Sequence, residues 1–189
     1  MNVPTELDRR FREAAQREGL VDVAYDLADS PVGDLLVAVT DRGLCRIAYR
    51  PDAALDELSA DFGVRVLRLP KRVDRVIREL DEYFAGNRRE FDLETDLSPV
   101  PAFQQQALRE LARVPFGQVT TYGALAAKIG KPRAARAIGG AMNRNPIPIV
   151  LPCHRVIGAN GSLVGYGGGL DRKELLLKLE GAMIDTLVS

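Results

Sequence analysis

Apolar residues recur at helical spacing over 5–18, with Thr5 placed to cap the start and Gly19 just beyond the end. The spacing then changes. Residues 21–28 alternate and read as a strand. Ser30-Pro31-Val32-Gly33 is a turn signal, and 34–40 and 44–50 read as two strands joined through Asp41-Arg42-Gly43 as a hairpin. Asp52 is placed to cap a helix over 53–61, 64–69 reads as a further strand, and 71–85 reads as a helix that stops near Gly86. The expectation for 1–92 is an α/β domain with a small antiparallel sheet and helices.

Residues 93–101 contain Ser98, Pro99 and Pro101 and read as a linker to a second domain at 102–189. There the texture turns mainly α-helical. A helix over 102–113 must stop before Pro115. Thr120 and Thr121 are placed to cap a helix over 121–129, Gly130-Lys131-Pro132 makes a tight turn, and 133–142 forms the next helix. That is a helix–turn–helix signature. Its second helix carries Ala134, Ala135, Ala137, Gly139, Gly140 and Ala141, with Arg133 and Arg136 as its long arms. Two interior glycines cost roughly 1 kcal/mol each. Close helix packing explains such smoothness, and so does close approach to another surface. A major-groove reader needs several polar side chains aimed at base edges, so any DNA contact here fits the minor groove better. The apolar run Ile147-Pro148-Ile149-Val150-Leu151 reads as a buried strand. After it come Pro152-Cys153-His154-Arg155-Val156, a glycine-rich loop over 158–169, and a last helix over 171–181 with Asp171 as its cap.

Charge changes this picture more than composition does. The chain has 189 residues and no net charge. Residues 1–100 nevertheless carry 15 Lys and Arg against 21 Asp and Glu, whereas 104–155 carry 8 against 1. An acidic half joined to a basic half points to polyanion binding by the second. No apolar stretch is long enough to span a membrane, no signal peptide is visible at the start, and a cytoplasmic location is the resulting expectation. Two cysteines and one histidine cannot form a Cys/His structural zinc site, so no metal is expected.

Cys153 follows an apolar run and a proline, and His154 is its neighbour in sequence. A thiolate is the nucleophilic form, and an ordinary thiol needs a base or a positive field to reach it. Adjacent side chains do not face one another in regular structure, so a bridging water is the more natural proton route from Cys153 to His154 than direct contact. A buried cysteine is also commonly an inert small hydrophobe, and spacing leaves both readings open.

The motif Pro152-Cys153-His154-Arg155-Val156, preceded by Gly139-Gly140-Ala141-Met142 and Asn145-Pro146, resembles the O6-alkylguanine-DNA alkyltransferases over roughly 103–180. The first half resembles that family only in size and element order. The resemblance implies a winged helix–turn–helix-like DNA-binding element in the second domain. It implies that Cys153 accepts the alkyl group once, by direct reversal of damage, with His154 as water-assisted base, Glu180 completing the relay and Asn145 stabilising the turn. Arg136 resembles the finger that replaces a flipped nucleotide, and Tyr122 the residue that crowds the neighbouring phosphate. Arg133, Ala135 and Gly139 would share the DNA surface. Met142, Pro148, Val156, Tyr166 and Gly167 would form the base pocket, with the backbone of Cys153 and Val156 accepting from the guanine amine. The implied partner is double-stranded DNA met from its minor groove. No cofactor, membrane or obligate protein partner is implied, and the protein is expected as a monomer, with cooperative binding along DNA and action on O4-alkylthymine left open.

Gly167 departs from relatives that carry a side chain there, which bears on adduct size. The competing readings are a binding protein for alkylated DNA that repairs nothing, a cysteine hydrolase using Cys153 and His154, and a plain helix–turn–helix regulator. The first lacks an acceptor cysteine, the second is disfavoured by the adjacent spacing, and the third by the bare second helix.

Overall fold

The computed structural model describes residues 17–182 together with Leu7, Arg10, Arg12, Ala14 and Ala15. Half of the residues of the helix expected over 5–18 lie outside the described residues; those described within it up to Arg17 are helical.

Four strands follow, β1 (Val23–Ala28), β2 (Leu35–Thr40), β3 (Gly43–Ala48) and β4 (Val66–Arg68), in the spatial order β3-β2-β1-β4. β1, β2 and β3 are antiparallel neighbours, as alternation and turns suggest. β4 adds a parallel pair to the expected antiparallel part. It pairs parallel to β1, with Val23 opposite Val66, because helix α1 (Pro51–Phe62) carries the chain across the sheet before β4 begins. The sheet is mixed.

Both faces of the sheet are covered, so β2 is buried along nearly its whole length. Alternate residues still separate cleanly. Val23, Leu36 and Ala38 pack with Ala54 and Leu58 of α1. Ala24, Leu35, Val37 and Val39 face the opposite way, into the core that includes Val73, Val76, Leu80 and Tyr83 of α2 (Pro70–Phe84). Asp52 is not the cap of α1. Pro51 occupies the first turn, where its missing N–H costs nothing, and Asp52 sits within that turn, where a carboxylate suits the positive helix end.

The segment 93–101 is pinned rather than loose. Leu44 donates to the Glu94 carbonyl at 2.9 Å, and Asp96 donates back to the Leu44 carbonyl at 2.8 Å. Gly43 has φ 131, and any Cβ there would collide with the Glu94 backbone, so only glycine lets the segment lie against β3.

The second half holds α3 (Ala102–Leu111), β5 (Thr120–Thr121), α4 (Tyr122–Lys128), α5 (Ala135–Asn143), a 3-10 turn (Cys153–Arg155), β6 (Val156–Ile157) and α6 (Leu170–Leu179). Thr121 caps α4 by accepting from the Ala124 N–H at 3.1 Å. α5 starts later than its sequence suggests. Ala134 donates to the Lys131 carbonyl, which extends the tight turn and leaves Arg133 in it. β5 and β6 pair in parallel, fastening the 3-10 turn beside the start of α4.

Two further expectations fail. Residues 147–151 form a compact turn, not a strand. Pro146 and Pro148 remove alternate N–H donors, Leu151 donates to the Ile147 carbonyl, and Ile149 takes a left-handed φ of 76. α6 is capped by Gly169, whose φ is 91, and Asp171 lies inside the first turn.

One hydrophobic core runs through both halves, joining Val37, Leu80 and Tyr83 to Leu108, Ile138, Ile147 and Leu176. The site sits where those halves meet.

Candidate active site

Cys153 opens the 3-10 turn and is 4% exposed. Its Sγ accepts from Asn145 Nδ2 at 3.1 Å. The same amide donates to the Leu151 carbonyl at 2.7 Å, and Asn145 Oδ1 accepts from the Ile147 N–H at 3.0 Å. Asn145 therefore holds the turn over 145–151 closed and touches the thiol with the same side chain. Burial pushes the Cys153 thiol up to about 11, against the lowering effect of Asn145 and of the Lys173 charge. A thiol in that position is protonated at neutral pH, and it needs a base to react.

His154 is the candidate base. His154 is wholly buried, and its Nε2 lies 2.8 Å from Glu180 Oε1. Burial pulls the imidazole below its usual value, outweighing the opposing effect of Glu180. Burial also raises Glu180, but hydrogen bonds from His154 and Arg155 outweigh it and hold the carboxyl at about 2. An ionised carboxylate only accepts, so His154 Nε2 carries the proton and Nδ1 keeps its lone pair. Nδ1 is buried and makes no hydrogen bond among the described residues.

Glu180 is the hub of this site. Its Oε1 also accepts from Tyr83 Oη at 2.7 Å and Arg155 Nη2 at 2.9 Å; Oε2 accepts from Arg155 Nε at 2.8 Å and the Gly117 N–H at 3.3 Å. Lys173, fully buried, donates to the carbonyls of Val156 at 2.5 Å and Val164 at 2.9 Å. Burial lowers its ammonium to about 8.

Cys153 opens onto a cavity of about 540 Å³ whose walls include Met142, Asn145, Pro148, Tyr166 and Gly167. Those sequence candidates come together. Val156 does not line it: its side chain is fully buried and its carbonyl is engaged by Lys173. The first half supplies another wall through Ile47, Tyr49, Glu57 and Asp61.

Beside the cavity, Tyr122 begins α4 and donates to the Val164 carbonyl at 3.1 Å. Its ring lies 3.8 Å from where a Cβ on Gly139 would stand. Arg136 is exposed on α5, Arg133 is exposed in the preceding turn, and Ala135 and Gly139 are partly exposed. Among the described residues, no group of three or more His, Cys, Asp or Glu could hold a metal, and no helix is long and apolar enough to cross a membrane.

Tyr83, Lys173, Gly117 and Tyr49 were missed by sequence reasoning. Each is distant along the chain from Cys153, and no local pattern marks it.

A buried thiol on one turn with a carboxylate-bound imidazole, behind a smooth helix–turn–helix, defines a class: a protein that sets a cysteine beside a nucleic-acid-binding type of element. The comparisons give that class a family. Residues 102–182 match the 6-O-methylguanine DNA methyltransferase DNA-binding domain, and 23–97 match the ribonuclease-like domain of the same name. The chain is 43% identical over 157 residues to the methylated-DNA–protein-cysteine methyltransferase of Methanosarcina barkeri, covering 82% of this chain and 96% of that one. The crystal structure of Mycobacterium tuberculosis OGT in complex with DNA superposes with a TM-score of 0.75 at 40% identity, covering 84% of this chain and 93% of that one. The O6-methylguanine-DNA methyltransferase of Pyrococcus kodakaraensis gives 0.59 at 27% identity, covering 84% and 99%. The chain belongs to the 6-O-methylguanine DNA methyltransferase family.

Proposed function

We propose that this protein repairs O6-alkylguanine in duplex DNA by moving the alkyl group to Cys153, once per molecule. The observation that carries the proposal is the pairing of a buried His154, on the same 3-10 turn as Cys153, with an ionised Glu180 at 2.8 Å, a line that a bridging water completes to the thiol. Proton and electrons balance along it. The thiol proton passes through a bridging water to His154 Nδ1. Sγ attacks the alkyl carbon, the carbon–oxygen bond breaks, and its electron pair stays on the guanine oxygen. Asn145 Nδ2 and the Lys173 charge favour the developing thiolate. The imidazolium is stabilised by Glu180, whose negative charge is held ready by Arg155. The product is a thioether, and no described group is placed to remove it.

The target oxygen lies inside a base stack, so the nucleotide must leave the duplex to reach a buried sulfur. Arg136 fills the gap from the minor groove, Tyr122 crowds the phosphate, and Ala135 and Gly139 let the backbone of α5 approach. Arg133 adds charge from the turn. Met142, Pro148 and Tyr166 enclose the base, and the backbone of Cys153 and Gly167 faces its polar edge. The protein acts as a monomer, without a cofactor, on double-stranded DNA.

Incubation with duplex DNA carrying O6-methylguanine is expected to add one methyl group per protein, mapped to Cys153 by peptide mass spectrometry. DNA binding with no mass increase would instead make the chain a binding protein that repairs nothing.

A further inference from the structure

The mechanism above uses the second half of the chain almost alone, yet among the first-half residues that wall the cavity Tyr49 hydrogen-bonds to Tyr166. Tyr49, just past β3, brings its hydroxyl to 2.6 Å from that of Tyr166. The two rings stand 6.1 Å apart at 60°. Arg172 braces the arrangement. Its guanidinium lies 5.0 Å from the Tyr49 ring centre, Nη1 donates to the Gly168 carbonyl at 2.8 Å, and Nε donates to the Val32 carbonyl at 2.6 Å. The loop is gripped at Gly168, where a Cβ would fall 2.6 Å from the Tyr49 ring and 2.8 Å from the Tyr166 ring. Beyond Tyr49 lies a second pocket of about 190 Å³, lined by Arg50, Ala53, Ala54 and Arg172, which shares Tyr49, Gly167 and Gly168 with the cavity that holds Cys153.

Burial raises both phenols, so both keep their protons at neutral pH. Two hydroxyls in contact share one hydrogen bond, which leaves one proton to be aimed elsewhere. If Tyr49 is the donor, the free proton belongs to Tyr166, which lines the cavity.

We propose that Tyr49 is a positioning and size-selecting residue for alkyl transfer. Its hydroxyl donates to Tyr166 and turns the Tyr166 proton toward the base, and its ring walls the adjoining pocket off from the adduct. The first half thereby becomes part of the active site. This rests on the repair reading above.

The test uses full-length protein and duplexes carrying O6-methylguanine or O6-benzylguanine, with single-turnover rates, duplex affinity and melting temperature measured for each variant. Tyr49→Phe keeps the ring and is expected to slow methyl transfer roughly fivefold to tenfold, the scale of one hydrogen bond, with duplex affinity unchanged. Adding Tyr49→Phe to Tyr166→Phe is expected to cost nothing further, because the pair acts as a unit. Tyr49→Leu opens the wall, and the benzyl-to-methyl rate ratio is expected to rise about tenfold. A merely structural loss would lower both rates together and leave the ratio alone. Wild-type rates in Tyr49→Phe, or independent losses in the double variant, would overturn the positioning role. An unchanged ratio in Tyr49→Leu would overturn the wall; should that variant not fold, Tyr49→Met supplies the same comparison. Absence of transfer by the unaltered protein would sink the repair reading itself, a separate result from any of these.

Discussion

Glu180 shows how much one residue can organise. One guanidinium, one neutral imidazole, one phenol and one backbone N–H converge on a carboxylate that is almost out of contact with water. Such a charge persists in a low-dielectric interior only while its donors stay in place. Glu180→Gln leaves the Arg155 guanidinium buried without its counter-charge and His154 without an anion. The expected outcome is a loss of about 3–5 kcal/mol in denaturant unfolding and slower transfer in the folded fraction, with duplex affinity largely kept. An unchanged transfer rate would show that the relay is not assembled. The acid response follows by sign. The Glu180 pKa is depressed on folding, from 4.5 to about 2, so the stability it contributes is present above 4.5 and is lost as pH falls toward 2. His154, also depressed, adds a loss that begins as pH falls below 6.5. Unfolding measured across this range should steepen for the unaltered protein below 4.5, and Glu180→Gln should shrink that lower limb, leaving the parts of Asp22 and Asp96, whose carboxyls are also held low.

At the scale of the element, α5 invites a direct test of what its smoothness serves. A Cβ on Gly139 would meet the Tyr122 ring at 3.8 Å, an ordinary contact, so the folded chain has room for alanine. Gly139→Ala should therefore stabilise the free protein by roughly 0.5–1 kcal/mol through helix propensity. If the helix backbone must lie against DNA, the same change should weaken duplex binding. A variant that is more stable and binds DNA equally well would assign the glycine to internal packing. Arg136→Ala tests the exposed arm of the same helix. It should slow repair of duplexes at least tenfold while leaving reaction with free O6-benzylguanine nearly unchanged, and equal losses on both would remove its role in flipping. Sequence reading placed α5 within two residues of its observed start, because small-residue helices between tight turns leave a local signature. The run over 147–151 misled for a local reason too. Its residues are as buried as a strand would be, but prolines at 146 and 148 withhold the donors a sheet needs, and Asn145 supplies a closing partner instead. Apolar runs record burial, not conformation.

Across the whole molecule, the charge division between an acidic first half and a basic second half was legible from counting, and it pointed to the half that matches the family's DNA-binding domain. The role of the first half was not legible, because the contacts that define it join residues far apart in the chain. Tyr83 reaches Glu180, Tyr49 reaches Tyr166, and the Ile47 N–H donates to the Pro146 carbonyl at 2.9 Å. No periodicity reports on such pairs, and each becomes visible only when the sheet is set against the helices. Tyr83 is the most consequential of them for stability. It is fully buried on α2, packs edge-on against Phe116 of the second half, and donates its phenol proton to the carboxylate that orients His154. Tyr83→Phe keeps the ring and removes one hydrogen bond to a charged group, a loss of about 1.5–3 kcal/mol. For a chain of this size each kcal/mol lowers the melting temperature by roughly 2–4 °C. The expected result is one cooperative transition, moved down by several degrees, together with slower methyl transfer at temperatures where the protein stays folded. Two separate transitions, or a rate that does not respond, would show that the halves fold and act independently. A single shifted transition with an impaired rate would mean that the first half holds the carboxylate from which the chemistry at Cys153 is run.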